Sequence, residues 1–537
     1  MSMRESVAEA YQRLGGNVSA VARELGIHRS SVRHHLRKTP GLADKPLAGG
    51  KVKARANERR KTPSRGVRRY ILTSAQNNTL VNERAWENLL ALAGHYKAEI
   101  LVGTYSYNTN AYGSLAVKRG TRHAQQFEPW YDERLLPYIE AGDNRNIELA
   151  PGLVWCGRAN ILPTAERPLS GFETYTGRAS GIFPHAKLAM QSIASGKMEA
   201  TKFNYTTGTI TAINYIQKKA GLKAEHHHTY GALLVEVDSS GSWWVRQLNA
   251  DGRGVIYDLD LRAEGGEVTA GHSVEGINWG DIHTATIDQE IAEVAWGEGG
   301  MMDTLRPRYQ FMHDILDFRA RNGHTAKKNL IHDRFQAFCQ GHDSVEEEIR
   351  GVATFLEQTS RDFCQTVVVD SNHDNFLMEW LRIGDYRSDP VNAVYFLEAQ
   401  LHAYKSIAAD PSRQPHMLRW AVERILGKRA GIRFLDEDES FVICKDAAGG
   451  IECGMHGHLG PNGARGSASN LSRMGRKLNR GHEHSASIHD GVYTSGVTGS
   501  LDQGYNRGPS SWSHSHIVTY KNGKRAIITV WKGKWRA

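Results

Sequence analysis

Sixteen of the 25 histidines fall after residue 270, and several stand in clusters with Asp and Asn. Five clusters follow one another: Gly280-Asp281-Ile282-His283, His313-Asp314-Ile315-Leu316-Asp317, Val369-Asp370-Ser371-Asn372-His373-Asp374, Gly454-Met455-His456-Gly457-His458 and Gly481-His482-Glu483-His484. Imidazole nitrogens with carboxylate and amide oxygens suit Mn, Fe or Zn better than a thiolate-seeking metal. Two such ions about 3.5–4 Å apart can activate water and clamp a phosphate for in-line attack. A neighbouring histidine can then stabilise the developing charge or protonate the leaving oxygen. Each cluster lies where an apolar stretch gives way to a loop, and in α/β sheets the carboxyl ends of strands converge on the ligand site. A P-loop signature and a Gly-x-Ser-x-Gly elbow are both absent, which argues against ATP-driven and serine-hydrolase chemistry.

The ordered series Asp-x-His, Asp, Asn-His-Asp, His, Gly-His-x-His resembles the calcineurin-like metallophosphoesterase superfamily over residues 275–535. That resemblance implies a β-sandwich flanked by helices, with a two-metal site on its loop edge. It implies Asp281, His283 and His484 as ligands of one metal and Asn372, His456 and His482 as ligands of the other, with Asp314 bridging. His373 is then the catalytic histidine, and Asp374 a residue that orients it. The implied cofactors are two divalent ions, manganese first, with iron or zinc as alternatives. His458 competes with His456, which is preferred because Gly457 lets the backbone approach closely. His313 and Ser371 stand where the family usually has Gly. Three further stretches, Tyr70–Thr79, Gly454–Ser467 and Gly504–Trp512, are similar to bacteriophage metallophosphoesterases related to the early host-DNA degradation protein. They extend the resemblance to residues 70–537. It implies a metal-dependent DNase of the SbcD kind and allows a homo-oligomer.

Elements must carry these clusters to one place. At 537 residues the chain has room for about three or four domains. Tyr70–Ser74, Asn82–His95 and Glu99–Thr104 read as strand, helix and strand, a βαβ beginning. Further strands are expected at Gly152–Cys156, Gly231–Val237, Trp243–Leu248 and Val255–Leu261. Ser344 and Glu347 form a capping box before an amphipathic helix, and Thr366–Val369 reads as the buried strand after it. Residues 376–427 are mostly helical by pattern. Asn522-Gly523 marks a hairpin between Ile517–Tyr520 and Ala526–Val530. The expected class is α/β. Residues 271–537 form the metallophosphoesterase domain, and residues 70–270 form an added α/β domain or share its sheet.

The charge is uneven. Residues 1–69 hold 17 Lys and Arg against 5 Asp and Glu, a local +12, and the remainder holds 50 against 53, a local −3. Such an arm points to a polyanion, most simply nucleic acid. Within it, helices are expected at Glu5–Leu14, at a segment carrying Val18, Val21, Ala22 and Leu25, and at Arg29–Arg37, with Gly26 at the turn. This pattern over residues 1–39 resembles a helix-turn-helix DNA reader, with Arg29, Arg33, His34 and Arg37 on the recognition helix. Residues 40–69 read as a basic flexible linker. Arg465, Arg473, Arg476 and Lys477, with Arg480, are expected to line the path of a DNA substrate.

No apolar run approaches the roughly 18–20 residues that span a bilayer. The five cysteines form no disulfide pattern, and with no apolar secretion segment they point to the cytoplasm, that of a bacterial host if a phage encodes the chain. The expected function is a metal-dependent DNA nuclease with no membrane partner. Its rivals are a phosphatase or small-nucleotide phosphodiesterase of the same fold, and a DNA-binding regulator with a vestigial metal site.

Overall fold

Val7, Ala10, Val21, Ala22, Val32 and Leu36 recur at helical spacing, and they close into one apolar cluster. They belong to the first of two units, Met1–Lys53, built from helices Met3–Arg13, Val18–Glu24 and Arg29–Arg37. Gly26, at φ +64°, makes the turn between the second and third helices. The computed structural model describes residues 2–13, 18–37, 56–107, 130–139, 146–197, 199–321, 330–504 and 506–537. Residues 40–55 of the expected linker lie outside the described residues, as do the side chains of Arg29, Arg33 and Arg37. His34 is exposed.

The second unit, Ala54–Ala537, is mixed α/β with several sheets. Strand Arg68–Gln76 pairs in parallel with Glu99–Tyr105 through helix Glu83–Tyr96, whose Asn82 cap accepts the Ala85 N–H. Gly231–Val237 and Trp243–Asn249 complete that four-stranded sheet. A six-stranded sheet runs Ile432–Phe434, Gln365–Val368, Tyr309–Met312, Gly276–Asn278, Ser515–Thr519, Arg525–Thr529. Its first four strands are parallel, and the last two form the expected hairpin. The two sheets meet where Gln247 accepts the Ile527 N–H and Asn249 donates to the Arg525 carbonyl.

An eleven-stranded sheet crosses residue 270. Met190 on strand Met190–Ile193 pairs with Ile488 on Ser487–His489, so residues 70–270 and 271–537 share one sheet. Side chains of all three sheets fill a common core, among them Tyr70, Leu233, Trp155, Tyr205, Ile488 and Ile517. Strand alternation sends Ile71, Val102 and Leu234 to the opposite face, against Leu89 and Leu92 of the 83–96 helix. Helices Val345–Thr359, Phe376–Ile383, Ala393–Ala409 and Met417–Leu426 cover the outer face of the six-stranded sheet through Ile349, Val352, Leu377, Phe396 and Leu418. Ser344 accepts the Glu347 N–H, as the capping signal requires. No described helix is long and apolar enough to cross a membrane.

Two expectations are corrected. The linker does not extend to residue 69. Ala56–Arg59 forms an edge strand parallel to Asn146–Ala150, and the Arg60 N–H continues the pairing to the Glu148 carbonyl. An edge strand needs a backbone partner more than apolar side chains. Glu148 and Glu99 supply counter-charges at 2.7 and 3.1 Å from Arg59 and Arg60. The run Val255–Leu261 is two strands, Ile256–Asp258 and Leu261–Glu264, broken at Leu259 with φ +56°.

Arg246 joins the Trp243–Asn249 strand to its neighbours and is almost fully buried. Its guanidinium takes Asp258 bidentately, at 2.6 and 2.8 Å, and also pairs with Glu236. Removing one partner of such a buried group leaves charge uncompensated, at a cost of about 3–5 kcal/mol. Arg69 still faces Glu236 at 2.7 Å, so Arg246→Met should cost about 3 kcal/mol, at the low end of that range. A denaturant titration reads this directly, and an unchanged midpoint would show that the network adds no stability.

Candidate metal centre

Five strand ends deliver the five clusters. Gly276–Asn278, Tyr309–Met312 and Gln365–Val368 are parallel neighbours, and Asp281, Asp314 and Asn372 follow their carboxyl ends. Ile451–Glu452 and Lys477–Arg480 are a parallel pair of the eleven-stranded sheet, and His456 and His482 follow theirs. Sharp turns then aim the side chains. His283, Asp314, His482 and His484 all have left-handed backbones, with φ of 50°, 47°, 75° and 56°. Such conformations cost non-glycine residues about 1–3 kcal/mol each and persist where the surroundings impose them. The Asp281 N–H donates to the Gly496 carbonyl, and the His283 N–H to the Asp314 carbonyl. Gly481 stands so close to Asp281 that a Cβ would lie 2.0 Å from Oδ1.

Asp281, His283, Asp314 and His484 converge, all buried, with their ligand atoms within 4.8 Å of one another. His484 Nε2 lies 3.1 Å from Asp281 Oδ2 and 3.2 Å from His283 Nε2. His283 Nε2 is 3.9 Å from Asp314 Oδ2. The same Asp314 oxygen lies 3.3 Å from His456 Nε2, which is 3.1 Å from Asn372 Oδ1. The His482 ring stands 5.1 Å from that of His456, and the His482 N–H donates to Asp281 Oδ2 at 2.7 Å. Asp314 thus faces both donor groups. His456, and not His458, faces Asp314 and Asn372; the His458 ring sits 5.4 Å behind it.

These side chains fit a divalent cation. Asp281 Oδ1, His456 Nδ1 and His484 Nδ1 are buried without a hydrogen-bond partner, which is costly in a protein interior. Burial favours a neutral acid at Asp281 and Asp314, yet the surrounding imidazoles hold both carboxyls below their usual range. Carboxylates gathered among imidazoles at this spacing are hard-to-borderline metal donors.

His373 stands beside this group. Its N–H donates to Asp314 Oδ1 at 3.3 Å, and its Nδ1 lies 3.5 Å from Asp317 Oδ1. Burial resists charging His373, but Asp314 and Asp317 prevail and push its pKa up to about 9. The expectation for Asp374 is corrected here. The carboxylate facing His373 is that of Asp317, which also takes His283 Nδ1 at 3.3 Å. Asp374 Oδ1 instead accepts the Leu316 N–H at 2.9 Å and so fixes the 314–317 turn. Burial, reinforced by Asp314, pushes Asp374 up to about 8. Asp317 was visible in the sequence as the last residue of the second cluster, but no spacing rule ties it to residue 373.

No protein-family model matches the chain, and no solved structure matches it. The chain is 41% identical over 485 residues to Protein A1 of Escherichia phage T5, covering 88% of this chain and 83% of that relative. It belongs to the Protein A1 family.

Within this Protein A1 relative the expected DNA-contacting cations are dispersed. Arg465 and Arg473 are exposed, Arg476 lies 3.6 Å from Glu452, and Lys477 is exposed on its strand. Arg480 is corrected: it is fully buried and cannot line a substrate path. Its Nε donates to the Gly481 carbonyl at 3.3 Å, and its Nη2 lies 3.3 Å from Glu483. It also fills the space beside Gly457, where a Cβ would stand 2.4 Å from Nε. One guanidinium therefore braces the turn after His456 against the turn carrying His482 and His484. His313 is also fully buried, with neither ring nitrogen partnered, and its ring lies 5.5 Å from that of His456.

Proposed function

We propose that this chain is a metal-dependent phosphodiesterase that cleaves DNA for a bacteriophage inside the host cytoplasm. The observation that carries the reading is Asp314 Oδ2, which faces His283 at 3.9 Å on one side and His456 at 3.3 Å on the other. Asp281, His283 and His484 would hold one divalent ion and Asn372, His456 and His482 a second, with Asp314 between them. Manganese suits this donor set, with iron or zinc as alternatives. Such ions, when bound, activate water and neutralise phosphate charge.

The chain's own groups supply the rest. Asp317 faces Nδ1 of His373 with its main-chain carbonyl at 3.4 Å and its carboxylate at 3.5 Å, and so sets the ring for proton delivery to the leaving oxygen through Nε2. Asp374 and Asp314 hold the two turns that carry this pair. DNA is the favoured substrate because residues 1–69 carry the local +12 charge and the three helices of the first unit.

The test is hydrolysis with manganese of duplex DNA, single-stranded DNA and bis-p-nitrophenyl phosphate, each repeated with EDTA. Metal-dependent cleavage of DNA supports the reading. Cleavage of the small ester alone would make the chain a small-substrate phosphodiesterase. DNA binding with no turnover of any ester would make it a regulator. Deleting residues 1–53 should weaken DNA binding and flatten its salt dependence, since each phosphate contact adds about 0.9 to the slope. Turnover of the small ester should persist, and its loss would show that the first unit is more than a tether.

A further inference from the structure

A cavity of about 1240 Å³ opens where the 202–206 strand, the 243–249 strand and the 510–532 segment meet. Four of the chain's 12 tryptophans line it: Trp243, Trp244, Trp512 and Trp531. Trp512 also packs edge-to-face on His484, with ring centroids 4.2 Å apart. One side chain therefore borders both the cavity and a ligand of the candidate metal centre. Two of the indoles are held by their polar atoms. Trp243 Nε1 donates to the Pro151 carbonyl at 3.2 Å, and Trp244 Nε1 to the Lys534 carbonyl at 3.0 Å. Two ion pairs sit on the rim, Arg178 with Glu199 at 3.1 Å and Lys197 with Asp502 at 2.8 Å, and Lys202 and Lys532 stand against Glu173, Asp288 and Glu290 in the rest of the lining, so cations and carboxylates nearly balance. Such a rim has little net field for phosphates. What the walls present is aromatic surface: Trp531 is 37% exposed and Trp243 and Trp512 are half-buried, while Trp244, at 4%, backs the wall.

We propose that this cavity is a nucleobase-stacking site that receives unpaired bases of a DNA strand whose phosphate lies at the metal centre. The proposal rests on the phosphodiesterase reading and deepens it, naming single strands and frayed ends as the substrate class. Every base has a π-face, so stacking on tryptophan tolerates any sequence. Each stacked base is worth about fivefold to a hundredfold in affinity. A base-paired duplex cannot offer those faces, so the cavity would discriminate by strandedness.

The test uses the full chain in EDTA, where binding is read without turnover. Fluorescence anisotropy compares a labelled oligothymidine, an abasic oligonucleotide of equal length and a duplex. The basic arm binds all three backbones, so the quantity read is the margin of oligothymidine over abasic strand. That margin should be about tenfold or more, should shrink severalfold in Trp531→Ala and Trp243→Ala, and should return in Trp531→Phe. Both alanine variants should keep wild-type turnover of bis-p-nitrophenyl phosphate, which also shows that they fold. Equal affinity for oligothymidine and abasic strand overturns the proposal, as does a margin unchanged in both variants. Absent ester hydrolysis with the margin intact would sink the phosphodiesterase reading and leave the base site standing.

Discussion

Asp314→Asn should lower turnover of bis-p-nitrophenyl phosphate about a thousandfold and remove bound metal. The carboxylate oxygen that faces both His283 and His456 is one atom, Oδ2, and the substitution takes away its negative charge. Metal-assisted charge stabilisation contributes several kcal/mol to such reactions, and each 1.36 kcal/mol is tenfold in rate. The fold should survive. The Asp314 main-chain carbonyl still accepts the His283 N–H, and the buried like-charge contact with Asp281 is relieved. Against the cost of burial, His456 and His373 nonetheless hold the Asp314 carboxyl well below its ordinary range, so its charge stabilises the fold at neutral pH and the metal-free variant should melt below the parent while still unfolding cooperatively. Metal analysis after gel filtration, together with ester kinetics, checks the result. Retained metal with full activity would refute the assignment of Asp314.

His373→Gln should reduce kcat about a hundred- to ten-thousandfold while metal content stays unchanged, the range for losing a positioned proton donor. The companion variants separate the two neighbouring acids. Asp317 touches both His373 and His283, so Asp317→Asn should lower kcat and weaken metal binding together, each by about ten- to a hundredfold. Asp374 has its carboxyl pushed up to about 8, so it is largely neutral at pH 7 and Asn is a close mimic. Asp374→Asn should change turnover little.

The same group supplies a pH signature. Its folded pKa lies above the ordinary value of about 3.9, so its contribution to stability is fully present below that value and is lost as pH rises through about 8. The asparagine variant of the metal-free protein should accordingly gain melting temperature over the parent between pH 4 and pH 9. If Asp374→Asn instead matched His373→Gln in kcat, Asp374 would be the orienting acid after all.

Much of the secondary structure was legible locally. Gly231–Val237 has the bounds its apolar run suggested, and Asn82, Ser344 and Gly26 do what capping and turn chemistry require of them. The misreadings have specific causes. Ala56–Arg59 looked like linker because its side chains are polar, and composition does not show that a backbone partner waits at residues 146–150. Leu259 interrupts a run that periodicity reads as one strand, because a left-handed turn there leaves no mark in hydropathy. Arg480 looked like one more surface cation in a basic stretch. Only the packing of Gly457 and Glu483 around it shows a buried brace.

Donor chemistry is a property of residue type, and the order of the five clusters is a property of the chain. Both could be read without coordinates, along with the basic bias of residues 1–69. The meeting of Asp281 with His484, some 200 positions apart, depends on how two sheets pack, as does the choice of Asp317 over Asp374 as the partner of His373. So does the placing of Trp512 between a tryptophan-lined cavity and His484. Local periodicity encodes which face of a strand is buried. The distance between side chains on different strands is set by the whole core, and no short stretch of residues carries it.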